Sequence, residues 1–252
     1  MDFSSKQQAR NRVWDILEEQ MLARAPLPPH NRIPNFKDSR QAAERLFEHA
    51  PWRDARRIKV NPDSPQRHVR ELALQRGIQV YVPTPRLTGS FHLLDPANIA
   101  PAEYASAARR QTMHRFSTSV PLAEMPQLDA IVTGCVAVTT SGKRCGKGAG
   151  YSDLEFAILI ELGHAPVPVA TTVHDAQLVG DFPCARFDLP LSLICTPSRS
   201  IGVQRLTAEA AGAAGASGID WARLDEADLR TMPILMELRE LQRLSGEGKH
   251  PR

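Results

Sequence analysis

Residues 57–82 open with Arg57-Ile58-Lys59-Val60-Asn61-Pro62-Asp63-Ser64-Pro65. They continue through Val69-Arg70-Glu71-Leu72-Ala73 to Gly77 and close with Ile78-Gln79-Val80-Tyr81-Val82. Arg57–Val60 reads as a short strand. Ser64-Pro65 is a helix start, with Ser as cap and Pro in the first turn, where its missing N–H costs nothing. Val69, Leu72 and Ala73 give the helix a buried face, and Gly77 ends it. Ile78–Val82 is a second strand, stopped by Pro83 and Pro85. A strand–helix–strand unit implies parallel pairing through a right-handed crossover.

The pattern recurs downstream. The run from Ala130 to Val138 is apolar and rich in β-branched residues, as expected of one long central strand. A glycine-rich loop follows, then a helix over Ser152 to Leu162 closed by Gly163. Val167 to Val173 and Leu191 to Cys195 read as further buried strands. Alternating strands and helices predict an α/β fold with an open, mostly parallel, Rossmann-like sheet flanked by helices. Upstream, Ser4 or Ser5 caps an amphipathic helix with Val13, Trp14, Leu17 and Met21 on its apolar stripe, and a second helix covers Ser39 to His49. The reading gives one domain over 1–205. Residues 206–252 then form an Ala/Gly-rich link and a helical tail over Thr231 to Leu244.

Composition narrows the function classes. The chain has 252 residues and a net charge of +3, with 15 Lys/Arg against 10 Asp/Glu in residues 1–80. No dense Lys/Arg run marks a nucleic-acid surface, so a small anionic ligand or plain solvation is the better match, and charge alone favours solvation. Cys135, Cys145, Cys184 and Cys195 form no Cys-x-x-Cys pair, which argues against zinc and for a reducing compartment. No uncharged apolar run is long enough for a membrane span, and the polar N-terminus shows no secretory signal. The expectation is a cytoplasmic protein, monomeric or homodimeric.

The chemistry concentrates in Gly142-Lys143-Arg144-Cys145-Gly146-Lys147-Gly148-Ala149-Gly150-Tyr151-Ser152-Asp153-Leu154-Glu155. The glycine spacing is neither that of a P-loop nor Gly-x-Gly-x-x-Gly. Alternating glycines nevertheless let the backbone approach an anion and present N–H groups. Ser152 and Glu155 stand at capping-box spacing for the helix behind, whose positive end would face the same ligand. Arg144 and Lys147 would add mobile positive charge, and Asp153 could hold a phosphate-bridging cation. The alternative is a plain surface turn with Asp153 serving the helix dipole. His174 could be a general base or a packed, hydrogen-bonded residue; Asp175, Gln177 and Asp188 could be polar site groups or turn formers.

These residues resemble the 5-formyltetrahydrofolate cyclo-ligase family, whose hallmark Arg-x-Gly-x-Gly-x-Gly-Tyr-Tyr-Asp is seen here as Arg144 to Asp153. Further matches are Lys6-Gln7-Gln8-Ala9-Arg10, His174-Asp175-Ala176-Gln177, Asp188 and Leu193-Ile194-Cys195-Thr196-Pro197. Arg32-Ile33-Pro34-Asn35-Phe36, Asn61-Pro62-Asp63 and Val82-Pro83-Thr84-Pro85-Arg86-Leu87 are similar to a divergent branch, the methenyltetrahydrofolate-synthetase-domain-containing proteins. Some relatives carry a later RNA-binding module; the short tail, without an aromatic ribonucleoprotein signature, is not expected to form one.

The resemblance implies an ATP- and Mg²⁺-dependent ligase of one-carbon metabolism. Such an enzyme phosphorylates the formyl oxygen of 5-formyltetrahydrofolate, and ring closure then gives 5,10-methenyltetrahydrofolate. It implies that Lys6 and Arg10 grip phosphates and that Arg144 with Gly146, Lys147, Gly148 and Gly150 cradles them, Lys6 and Arg144 acting in catalysis. Asp153 and Asp188 would hold Mg²⁺, and Tyr151 would line the folate pocket with Ser152 beside it. Two departures stand out: Ser152 replaces a second tyrosine, and the family's acidic folate contact after the first strand has only Asp63 as a stand-in. The alternatives are an ATP-dependent ligase or kinase for another small substrate, and a nucleotide- or folate-binding protein without turnover.

Overall fold

The computed structural model describes residues 2–185, 188–203 and 218–247. The chain opens with helix α1 (Lys6–Glu19), then the two-residue strands β1 (Ala23–Arg24) and β2 (Asn35–Phe36) and helix α2 (Ser39–Leu46). Next come β3 (Arg57–Val60), α3 (Arg67–Gln75), β4 (Gln79–Pro83), β5 (Phe91–Leu94), the single turn α4 (Tyr104–Ala107) and β6 (Thr118–Val120). Then follow β7 (Ala130–Thr133), β8 (Ala137–Val138), β9 (Arg144–Cys145), α5 (Tyr151–Glu161), β10 (Val169–Thr172), β11 (Leu193–Cys195) and β12 (Ser200–Gly202). Two helices, Glu226–Thr231 and Pro233–Glu247, close the described chain.

Eight strands form one sheet in the order β12-β11-β10-β7-β3-β4-β5-β6. The five from β11 to β4 are mutually parallel, with Ile58 opposite Val80 and Lys59 opposite Ile131, and antiparallel strands flank them on both sides. The chain leaves β3 towards β4 on one side and returns through β7 on the other. The crevice outside the carboxyl ends of β3 and β7 is therefore the switch point where ligands of open α/β sheets sit.

Helices cover both faces, and the period of two along each strand sorts the side chains. Ile58, Val60 and Val132 pack with Leu46, Phe47, Val69 and Leu72 from the α2–α3 side. Ile131, Val173 and Ile194 pack with Phe156 and Leu159 of α5 and with Ile234, Leu235 and Leu238 of the terminal helix. The same alternation turns Lys59 towards the α5 side. Ala9, Val13, Trp14 and Leu17 of α1 close a third cluster with Val136, Ala137 and Cys145, which lays α1 along the β8–β9 hairpin.

The expected single strand over 130–138 is two pieces. β7 stops at Thr133, and Ala137–Val138 pairs antiparallel with Arg144–Cys145 in a separate hairpin. The break falls at Gly134, where an added Cβ would stand 2.8 Å from Gln66 Oε1, 2.9 Å from Ile33 Cγ2 and 3.2 Å from Asp63 Oδ2. Hydropathy runs unbroken through the bend because both pieces are buried. Of the Ala/Gly-rich link expected over 208–218, all but the last residue lies outside the described residues.

Candidate active site

A cleft of about 460 Å³ opens at the switch point. Its walls are the first turns of α1 and α5, the loop Gly146–Gly150, the segment Asn61–Asp63 after β3, and Gly134 after β7. Thr84, Pro85, Arg86 and Arg110 complete the rim.

α1 begins at Lys6 because Ser5 is its cap, accepting a bond from the Gln8 amide at 3.2 Å. The next turn brings Arg10 against the glycine loop, where its Nε donates to the Gly146 carbonyl at 2.6 Å. Gly148 sits under that guanidinium at φ +112°, a backbone conformation that favours glycine there. Lys6 Nζ meets Asp188 Oδ1 at 2.5 Å, and Asp188 Oδ2 accepts the Ala185 amide at 2.6 Å. Lys147 projects from the loop, exposed.

Arg144 does not carry mobile charge as expected. It is 4% exposed; its Nε donates to the Leu189 carbonyl at 3.2 Å and its Nη2 pairs with Asp153 Oδ1. Burial works against the guanidinium charge, but Asp153, followed by Cys135, Asp188 and Glu155, together outweigh it and the pKa lies above its ordinary value. Asp153 Oδ1 also accepts the Leu189 amide at 2.8 Å. Arg144 is thus a fixed positive charge in the cleft wall, held from behind.

Ser152 does not cap α5. Gly150, at φ +70°, occupies the cap position without a side-chain bond, and Ser152 lies inside the first turn. Its hydroxyl accepts instead from Asn61 Nδ2 at 3.1 Å. Glu155 reaches back to no cap; it is buried, and Oε2 pairs with the Lys59 ammonium. Lys59 Nζ also donates to Asn61 Oδ1 at 2.9 Å. Burial pushes the Glu155 carboxyl up, with Lys59 pulling it back, and burial likewise holds Asp63 above the usual carboxylate range. Arg70, fully buried, fixes the turn after β3 by donating to the Asn61 and Asp63 carbonyls and to Ala108.

The cleft gathers Lys6, Arg10, Arg144, Gly146, Lys147, Gly148, Gly150, Tyr151, Ser152, Asp153, Asp188 and Asp63. It leaves out His174, whose Nδ1 accepts the Ala176 amide at 3.1 Å in a capping box with Gln177. Asp175 accepts the hydroxyls of Thr196 and Ser198, and Gln177 donates to the Cys135 and Val136 carbonyls; both are structural. Sequence reasoning missed Lys59, Asn61, Arg70 and Glu155. A lysine inside a β-branched run was the available signal, since an unpaired ammonium does not survive in a core.

Among the described residues no three His, Cys, Asp or Glu groups cluster as a self-standing metal site, and no helix is long and apolar enough to cross a membrane.

Comparisons with known proteins bear on the same segments. The chain is 40% identical over 250 residues to the methenyltetrahydrofolate synthase domain-containing protein of Mus musculus, covering 96% of this chain and 65% of that one. Against the Bos taurus protein of the same name the identity is 40% over 252 residues, covering 96% and 64%. The chain therefore spans just under two thirds of the length of these relatives. The solved 5,10-methenyltetrahydrofolate synthetase of Aquifex aeolicus aligns over 81% of this chain and 95% of its own, at 14% identity and a TM-score of 0.49. Residues 2–197, which include every wall of the cleft, match the 5-formyltetrahydrofolate cyclo-ligase family, and the chain belongs to it.

Proposed function

We propose that this chain closes the ring of 5-formyltetrahydrofolate to 5,10-methenyltetrahydrofolate at the expense of ATP. The observation that carries this reading is the convergence of Lys6, Arg10, Arg144 and Lys147 with the glycine loop and the α5 start in one cleft. Backbone N–H groups, a helix dipole and cations on one spot make a phosphate cradle. The chemical difficulty is an amide-like formyl carbon that resists attack. Transfer of the ATP γ-phosphoryl to the formyl oxygen, with ADP leaving, makes that oxygen a leaving group. N10 then attacks the carbon, gives up its proton, and inorganic phosphate departs.

The protein's part in such a reaction is positioning and charge. Arg144 is already desolvated and oriented, so it would meet developing phosphate charge without rearranging. Lys6 and Arg10 reach in from α1 and can exchange their present partners for phosphate oxygens. Asp153 and Asp188 would hold Mg²⁺. Two hard carboxylates beside a phosphate cradle fit a magnesium that arrives with the nucleotide, since that ion takes one or two carboxylates and completes its shell with water and phosphate. Bound there, it would withdraw charge from the phosphate oxygens.

The test is ATP-dependent formation of the methenyl product, followed by absorbance with purified protein. Turnover that requires ATP and Mg²⁺ supports the reading. Mg-ATP binding without folate turnover transfers the site to another small substrate or to binding alone. No nucleotide binding by calorimetry sinks all of these.

A further inference from the structure

The β3 side of the cleft holds a charged pair that the phosphate reading does not use. Lys59 is 1% exposed and Glu155 3% exposed, yet Glu155 lines the cleft. Its Oε2 takes the Lys59 ammonium and, at 3.4 Å, Asn61 Nδ2. Its Oε1 accepts no hydrogen bond among the described residues. The Asn61 amide joins this carboxyl to the Ser152 hydroxyl, so three polar groups stand together on one wall.

Burying two charges costs several kcal/mol for each, repaid only when geometry and remaining hydrogen bonds are complete. Buried polar atoms in native proteins are almost always satisfied. An oxygen left open at the mouth of a buried pair is therefore an invitation to a donor. Phosphates, which are acceptors carrying negative charge, are repelled there. An N–H on a neutral ring is the complementary chemistry, and the pterin ring of 5-formyltetrahydrofolate offers a 2-amino group and an N3–H.

We propose that Glu155, positioned by Lys59, accepts a ring N–H of the substrate and orients the pterin away from the phosphate cradle. This rests on the folate reading above. Lys59 acts through Glu155 and touches no substrate.

The test is the double variant Lys59→Met/Glu155→Gln, which keeps the shape and removes both charges. Its 5-formyltetrahydrofolate affinity, titrated without ATP, should fall about ten-fold or more, as for a lost hydrogen bond to a charged group. Mg-ATP affinity should be unchanged. Should the double variant not fold, Glu155→Gln alone carries the same comparison. Unchanged folate affinity overturns the proposal, as does a loss seen in Asp63→Asn and absent from the double variant. A wild-type protein that binds no folate overturns both this inference and the proposed activity. Folate binding that is lost in the variant, in a wild type without turnover, supports this inference and removes the activity alone.

Discussion

The α1 side of the cleft and the β3 side use charge in opposite ways. On the α1 side Lys6, Arg10 and Lys147 are long side chains at least partly in water, and the loop beneath them is mostly glycine. On the β3 side Lys59 is sealed between sheet and helix and Glu155 shows only an edge to the cleft, with Asn61 locked between Glu155 and Ser152. A phosphate tail is flexible and strongly charged, so adaptable cations suffice to grip it. A rigid ring has fixed donors and acceptors, so its partners must be fixed too. Arg144 stands between the two regimes: a phosphate-type residue held with β3-side rigidity.

Arg144→Ala attacks the comparison where the effect is largest. Turnover should fall by roughly 100-fold, as for loss of one preorganised charge. Stability should fall by about 3 kcal/mol, the lower end for a broken buried pair because Asp153 is partly exposed. Steady-state kinetics and urea melts read the two separately, and an undisturbed melt would show that Asp153 does not depend on Arg144.

Gly134→Ala tests the rigid floor. The new Cβ meets Gln66, Ile33 and Asp63 at 2.8–3.2 Å, so chemical denaturation should show a loss of about 1–3 kcal/mol. Folate affinity should suffer more than Mg-ATP affinity.

Lys147→Ala is the mild counterpart on the adaptable side. Mg-ATP affinity should weaken about five-fold, matching an exposed charge contact worth about 1 kcal/mol or less. The loss should shrink with added salt, and the melting temperature without nucleotide should not move.

Ser152→Ala should have the smallest effect, about 0.5–1 kcal/mol for a lost hydrogen bond. Its mechanism is what matters. A double-mutant cycle with Asn61→Ala should show coupling of about 0.5 kcal/mol or more, whereas a helix cap would be blind to Asn61.

The sequence made the parallel sheet legible because local signals agreed with the global fold: Pro65, Gly77 and Gly163 punctuate elements where the structure does, although Ser64 caps nothing and instead opens a 3-10 turn behind Asp63 that leads into α3. Arg144 to Asp153 marked the cleft because glycine spacing is read along the chain. The bend at Gly134 was hidden, since apolarity reports burial and not direction. The wall made by Lys59, Asn61, Ser152 and Glu155 was hidden for a related reason. Its two halves, Lys59 with Asn61 and Ser152 with Glu155, lie more than ninety positions apart, and only strand alternation and helix phase bring them together. Ser152 and Glu155 even matched a capping box, but the αL glycine before them took the cap position.

The terminal helix Pro233–Glu247 also changes how the protein can be cut. It lies beyond residue 197, where the family match stops. Yet Ile234, Leu235 and Leu238 are buried with Phe156 and Leu159. Gln242 and the Ile219 amide both bond to Glu161, at the far end of the helix whose first turn walls the cleft. Each such apolar side chain contributes about 1.5–3 kcal/mol by leaving water. A fragment trimmed at the family boundary would bare a greasy stripe and release the back end of α5. Its insolubility or inactivity would then report the missing buttress, and say nothing about the chemistry in front.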